Sequence, residues 1–182
     1  MLHDTFNPLN ILIAEDEHDI LLLYKRALEK NNHRVTITNN GEDCLKYYHE
    51  EVQRLLSSTS NFIVGRVTPF DAMILDYKMP RINGIEVARE ILAVNPHQRI
   101  ILASAYIKET LIDSINQLNQ IVEIIQKPFE IKVLIDTIED KHTYSELQKL
   151  NVDVDIIKAT KPDHEQIKDL LERLRSIHEC KT

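Results

Sequence analysis

The sequence lacks the features that mark membrane and secreted proteins. Among its 182 residues, no apolar run approaches the roughly 20 residues that span a bilayer. The first ten residues, MLHDTFNPLN, contain no basic stretch followed by an apolar one, so we expect no secretory signal. Only two cysteines occur, Cys44 and Cys180, far apart and in no metal-ligand spacing. Their scarcity favours a reducing, cytoplasmic compartment.

An excess of positive charge is also missing. The chain has 22 Lys and Arg against 29 Asp and Glu, a net charge of −7. This balance argues against a surface dominated by contacts with nucleic-acid phosphates. The apolar content of 43% and the charged content of 28% are ordinary for a globular protein. The length suits one well-cored domain with an appendage, or two small domains.

Short apolar runs alternate with amphipathic patterns along most of the chain. We expect five strands, at Asn10–Ala14, Arg34–Thr38, Ala72–Leu75, Arg99–Ala103 and Ile121–Gln126. We expect helices at Glu17–Lys30, Gly41–Leu56, Gly84–Val94, Lys108–Leu118 and Glu130–His142, the last extending as far as Leu150. The 57–69 stretch has no periodicity and is interpreted as a surface insertion, with an extra short hairpin at Phe62–Val64 as the alternative. The alternation predicts an α/β fold, a doubly wound five-stranded parallel sheet with helices on both faces.

Polar residues follow four of the predicted strands: Glu15, Asp16, Asp76, Ser104 and Lys127. Each has an ordinary explanation by itself, because acids cap helices and end strands, and serine and lysine are common in loops. In a doubly wound sheet, however, the carboxyl ends of the strands share one edge, where ligands bind. The set together predicts a functional site there.

Three clustered carboxylates repel one another unless a cation lies among them. A hard divalent ion such as Mg²⁺ fits carboxylates, waters and a phosphoryl oxygen. The lysine suits a phosphoryl oxygen as a point charge, and the serine hydroxyl can donate to another. One carboxylate is left as a nucleophile that forms an acyl phosphate.

The stretches IAEDE, ILDYKMPRINGIEVA, ILASAY and QKPF resemble, in order and spacing, the motifs of the response-regulator receiver domain of two-component signalling. The resemblance covers residues 9–142 and implies a flavodoxin-like sheet of strand order 2-1-3-4-5. It implies that Asp76 accepts a phosphoryl group from a sensor histidine kinase or a phosphotransfer protein. Ser104 matches the switch hydroxyl, and Lys127 the lysine that contacts the phosphoryl group.

The same resemblance implies a Mg²⁺ or Mn²⁺ site and a limited catalytic role. The implied metal ligands are Glu15, Asp16, Asp76 and the backbone carbonyl of Lys78. The only catalysis implied is the protein's own metal-dependent phosphoryl transfer to Asp76 and its autodephosphorylation.

Three positions affect how we expect the protein to be activated and how long its acyl phosphate lasts. Ile124 stands where many receivers have an aromatic switch residue, so activation by rotation of a ring is not expected. Lys78 and Tyr106 stand two residues after Asp76 and Ser104, at positions that in the family flank the path of the attacking water. A long cation and a ring there predict a shielded, comparatively long-lived acyl phosphate.

Residues 143–182 extend beyond the resemblance. Asp163 and Gln166 resemble a capping box for a helix over 163–179. Its apolar stripe consists of Ile167, Leu170, Leu171, Leu174 and Ile177. Two interpretations remain open: the stripe packs back on the receiver domain, or it supports homodimerisation or binding of a partner. From Thr143 onward seven Lys and Arg face eight Asp and Glu, so no basic patch indicates a DNA-binding output domain.

The favoured hypothesis is a phosphorylation-switched response regulator that signals through protein contacts to a target that the sequence does not identify. One alternative is a transcriptional regulator that acts through its atypical tail, and another is an interaction module that is never phosphorylated. A haloacid-dehalogenase-type enzyme also uses an aspartyl nucleophile. Such an enzyme needs a second acid two residues after the nucleophile, where this chain has Lys78.

Overall fold

The structure is a computed structural model that describes residues 8–58, 68–105, 123–150, 152 and 164–179. The predicted helix over 108–118, Tyr106, the predicted helix start at Asp163 and most of the 57–69 insertion lie outside these residues. The chain divides into two compact units, residues 1–129 and 130–182. No helix within the described part of the chain is long and apolar enough to cross a membrane.

The first unit contains the predicted parallel sheet. Its strands are β1 (Asn10–Ala14), β2 (Arg34–Thr38), β3 (Ala72–Asp76), β4 (Ile100–Ser104) and β5 (Glu123–Gln126). They pair in parallel in the order β2-β1-β3-β4-β5, which confirms the predicted strand order. The helices described in this unit are α1 (His18–Lys30), α2 (Gly41–Ser58) and α3 (Gly84–Val94).

Alternation along the strands divides the core between the two faces of the sheet. Leu12, Met73 and Leu75 point to one face, where they join a cluster with residues of α2 and α3. This cluster includes Cys44, Tyr48, Val52, Ile85, Val87, Ala88, Ile91 and Leu92. The intervening residues Ile13 and Ile74 are also buried, and α1 contributes a separate set of buried side chains, Leu21, Tyr24 and Leu28. Both faces of β1 and β3 are therefore covered, as their continuous apolar runs predict.

In the second unit the structure describes two helices, α4 (Ile131–Lys149) and α5 (His164–Glu179). Ile167 and Leu171 of α5 and Leu147 of α4 are fully buried. Lys168 pairs with the buried carboxylate of Glu139 at 2.9 Å, and Arg175 pairs with Glu146. The helix α4 runs without a break through residue 142, where the sequence predicted the domain to end. The domain division at 142/143 stays a prediction.

The two ion pairs show that α4 and α5 run parallel. Each pair joins residues 29 positions apart along the chain, and the second pair lies seven residues after the first on both helices. Such matched steps, each about 10 Å along an axis, require helices of the same direction. Part of the apolar stripe predicted on the C-terminal helix is thus covered by α4.

Candidate functional site

The predicted site residues lie at the carboxyl ends of β1, β3, β4 and β5. Glu15 and Asp16 follow β1, Asp76 is the last residue of β3, Ser104 is the last residue of β4, and Lys127 follows β5. Parallel pairing aligns these ends, with Asp76 beside Ala103 and Ser104 beside Gln126. The structure thus places these residues at one edge of the sheet, and their chemical roles stay predictions.

Lys127 bridges two of the carboxylates. Its Nζ donates to Asp76 Oδ1 at 2.6 Å and to Glu15 Oε2 at 2.7 Å. Glu15 and Asp76 are buried, and 16% of the Lys127 side chain is exposed. Burial lowers the pKa of Lys127, but the hydrogen bonds to Asp76 and Glu15 outweigh it and raise the pKa above its usual value. The ammonium is therefore fully protonated at neutral pH.

Asp76 is also held by the turn that follows it. The backbone N–H of Lys78 donates to Asp76 Oδ2 at 2.8 Å, so both carboxylate oxygens have a donor. The N–H of Tyr77 donates to the Ala103 carbonyl at 2.9 Å, and the N–H of Gly84 donates to the Tyr77 carbonyl at 3.0 Å. Asn83 caps α3 in a reciprocal capping box with Glu86. The sequence DYKMPRING thus forms a short turn between β3 and α3 that its own hydrogen bonds stabilise.

The carboxylates of Glu15, Asp16 and Asp76 fit a divalent cation. One oxygen from each lies within 4.8 Å of the others. Lys127 is the cation that bridges two of them, which leaves a net charge of −2 among these four side chains. Glu15 Oε1 is buried and has no hydrogen-bond partner among the described residues. Burial, opposed by Lys127 and reinforced by the charge of Asp76, raises the pKa of Glu15. A divalent cation would bind this oxygen as a ligand and would neutralise the excess negative charge.

A cavity of about 470 Å³ opens over Asp76. The residues that line it are Asp16, Glu17, Asp76, Tyr77, Lys78, Met79, Pro80, Ala105 and Lys127. Exposed Asp16 and Lys78 therefore face the same space as the buried Asp76. The cavity has room for a phosphoryl group and coordinated waters beside Asp76.

Two predicted residues, Ser104 and Ile124, are not among those that line this cavity. Ser104 is fully buried, and its carbonyl accepts the backbone N–H of Lys127 at 2.7 Å. Among the described residues it is Ala105, rather than Ser104, that lines the cavity. Ile124 is half-buried within β5, where it pairs with Leu102. Tyr106 is outside the described residues, so its predicted shielding role stays a prediction.

Sequence reasoning missed an aromatic pair beside the site. The ring of Tyr24 in α1 stacks on the ring of Phe129, with centroids 5.7 Å apart and planes 20° apart. Tyr24 belongs to the apolar stripe that predicts the first helix, with Ile20, Leu23, Ala27 and Leu28, but a stripe does not identify its partner. The QKPF motif places Phe129 two residues after Lys127, so the sequence indicates that Phe129 is near the site but not that it pairs with Tyr24.

Residues 11–139 match the model of a family described as the response regulator receiver domain. Among curated proteins, the chain is 27% identical over 129 residues to the response regulator receiver protein CpdR of Brucella abortus, covering 71% of this chain and 92% of that protein. It is 29% identical over 164 residues to the response regulator ArlR of Staphylococcus epidermidis, covering 86% of this chain and 65% of that protein.

A solved structure supports the fold. It is the receiver domain of the histidine kinase CKI1 from Arabidopsis thaliana, in complex with Mg²⁺ and BeF₃⁻. Its TM-score is 0.60 at 21% identity, and the match covers 72% of this chain and 90% of that one.

Proposed function

Because the chain belongs to the receiver-domain family of response regulators in two-component signalling, we propose that Asp76 accepts a phosphoryl group from the phosphohistidine of a sensor kinase or a phosphotransfer protein. The observation that carries the proposal is how the Asp76 carboxylate is buried, hydrogen-bonded and open to the cavity. It is buried and held by two donors, and it opens on a cavity lined by Asp16, Lys78 and Lys127. Its two oxygens are held in place by these donors, and the cavity makes it reachable from one side.

In the proposed reaction, one oxygen of Asp76 attacks the phosphorus atom. A phosphorus–oxygen bond forms, the phosphorus–nitrogen bond of the phosphohistidine breaks, and the imidazole leaves with its electron pair and takes up a proton. Transfer of this kind depends mainly on alignment and on neutralisation of charge. Lys127, already 2.6 Å from Asp76, supplies one positive charge for the phosphoryl oxygens.

Glu15, Asp16, Asp76 and the Lys78 carbonyl are the proposed ligands of Mg²⁺ or Mn²⁺. When bound, such an ion neutralises negative charge on the phosphoryl oxygens. The carboxylates bring oxygen ligands together, and the buried Glu15 Oε1 is one that no described residue satisfies. Ser104 is proposed to donate its hydroxyl to the phosphoryl group, which requires its side chain to reach the cavity that Ala105 lines.

The proposed output is a contact with another protein. Phosphorylation adds charge and acceptor oxygens at the ends of β3, β4 and β5, and so favours one of two arrangements of the segments there. The near balance of charge in residues 143–182 supports this output over contact with DNA. A mobility-shift assay with the phosphorylated protein distinguishes the two.

The test is incubation with Mg²⁺ and phosphoramidate, followed by intact mass measurement. We expect the addition of a single phosphoryl group in the wild type and none in Asp76→Ala or in excess EDTA. No addition, or an addition that persists in Asp76→Ala, would contradict the proposal. Asp71→Ala is the matched control. Its carboxylate accepts the Asn10 N–H at 2.7 Å just before β3, and we expect it to be phosphorylated normally.

A further inference from the structure

Phe129 ties the end of β5 to α1. Its ring stacks on that of Tyr24, whose side chain is almost completely buried. The helix α1 begins at His18, two residues after Asp16, and Phe129 lies two residues after Lys127. The ring pair therefore joins the two chain segments whose charges meet at the site.

Among the described residues of this unit, a backbone hydrogen bond holds the Lys127 segment on the side of β5. The N–H of Lys127 donates to the Ser104 carbonyl at 2.7 Å, which fixes the chain where it leaves β5. Pro128 follows, is exposed, and has no N–H to donate. The next described fixed point within this unit is the stack of Phe129 on Tyr24.

Tyr24 also lies within the electrostatic reach of the site. Burial raises its pKa to about 12; the positive charge of Lys127 opposes this shift, and the negative charges of Glu15 and Asp76 add to it.

We infer that Tyr24 is a positioning residue for phosphoryl transfer: its stacking on Phe129 holds the Lys127 segment against α1, so that the ammonium stays between Glu15 and Asp76. The ring carries the stack, so phenylalanine can replace tyrosine. Leucine retains the apolar character but has no ring face to stack on Phe129. The kinetic part of this inference rests on the proposed function.

The experiment measures the rate of Asp76 phosphorylation by phosphoramidate at saturating Mg²⁺, together with the Mg²⁺ dissociation constant. For Tyr24→Leu we expect the rate to fall by about tenfold, because small displacements of a charged group are costly in transfer reactions. The Mg²⁺ dissociation constant should change less than about twofold, since the carboxylates are untouched. Tyr24→Phe should keep the wild-type rate.

The matched control is Tyr48→Leu. Tyr48 is a fully buried tyrosine on α2 whose ring lies 6.2 Å from that of Phe70, in the core of the opposite face. We expect this variant to lose stability and to keep its phosphorylation rate. The inference would be overturned if Tyr24→Leu kept the wild-type phosphorylation rate, or if Tyr48→Leu or Tyr24→Phe lost as much rate as Tyr24→Leu. It would also be overturned if Tyr24→Leu lost phosphorylation rate and Mg²⁺ affinity in parallel. If Tyr24→Leu fails to fold, Phe129→Leu replaces it, because Phe129 is only half-buried.

A double-mutant cycle separates this inference from the proposed function. Urea midpoints are measured for Tyr24→Leu, Lys127→Met and the double variant. Non-additive shifts would show that the ring acts on Lys127 even in a chain that takes up no phosphoryl group. Additive shifts would overturn the positioning role even in a chain that is phosphorylated.

Discussion

Gly84 lies directly against the backbone carbonyl of Asp76: a Cβ at Gly84 would be 2.3 Å from that oxygen. Because this contact is with backbone, no side chain can move aside to relieve it. We expect Gly84→Ala to shift the end of β3, to lower the free energy of unfolding by about 1–3 kcal/mol, and to slow phosphorylation of Asp76. Urea unfolding and the rate with phosphoramidate measure the two effects.

Ala93→Gly is the control for this prediction. Ala93 lies in the same helix, α3, but is exposed. Glycine there lowers helix stability by about 1 kcal/mol without touching Asp76. Its phosphorylation rate should equal that of the wild type. If Gly84→Ala lost stability but kept its phosphorylation rate, the contact between Gly84 and the Asp76 carbonyl would matter for packing and not for phosphoryl transfer.

Lys127→Met should destabilise the metal-free protein and tighten its binding of Mg²⁺. Removal of the ammonium leaves Glu15 and Asp76 buried, without the cation that bridges them. We expect a loss of about 3 kcal/mol in the free energy of unfolding in EDTA. A divalent ion then has no competing cation, so Mg²⁺ should recover more stability in this variant than in the wild type. Urea unfolding with and without Mg²⁺ measures both quantities.

Lys25→Met is the matched lysine substitution. Lys25 pairs with Glu29 on the exposed surface of α1, and its loss should cost less than about 0.5 kcal/mol. A similar cost for both lysines, or no dependence on Mg²⁺, would mean that Lys127 does not balance the charge of the acids.

Lys78→Asn combined with Tyr106→Glu should shorten the lifetime of the phosphorylated protein. Lys78 is exposed and lines the cavity over Asp76, where its long side chain can hinder an attacking water. The measurement is the half-life of the acyl phosphate after the phosphodonor is removed. Lys25→Asn, on the surface of α1, serves as the control. An unchanged half-life in the double variant would exclude shielding.

Lys168→Met should loosen α5 from α4. Glu139 is buried, with 4% of its side chain exposed, and would lose its ion pair with Lys168. A quarter of the Lys168 side chain is exposed, so we expect about 2 kcal/mol rather than the larger cost of a fully buried pair. Hydrogen exchange of the amides in α5 measures the loss.

Arg173→Met is the control for the loosening of α5. The Arg173–Asp169 pair is exposed on both sides and joins residues within α5, so hydrogen exchange should scarcely change. Equal acceleration in both variants would mean that the buried pair has no special part in holding α5.

The sequence predicted the sheet well because the pattern is strong there. Runs such as NILIA and IILA are covered on both faces, and their order leaves few parallel arrangements. The edge shared by Asp76 and Lys127 follows from that topology. Asp76 itself proved to be the last residue of β3, one position beyond the predicted end, because it continues the parallel pairing beside Ala103.

What periodicity did not predict is pairing between side chains far apart in sequence. It placed Tyr24 and Ile167 on buried faces of helices, but a stripe of apolar residues does not name its partner. The bridge from Lys127 to Glu15 as well as Asp76 was missed for the same reason. Which oxygen an ammonium reaches depends on small displacements of three chain segments, and these are set by packing.

Because α4 and α5 run parallel, the chain between them must return along the length of α4 before α5 can bind to it. Lys149 and His164 lie at opposite ends of the pair, about 20 Å apart along the axes, yet one chain joins them. We therefore expect docking to be unimolecular and independent of protein concentration. A tether of this length maintains an effective concentration on the order of millimolar. A free helix that competes for the same surface of α4 must reach that level, or bind correspondingly more tightly, before it displaces α5.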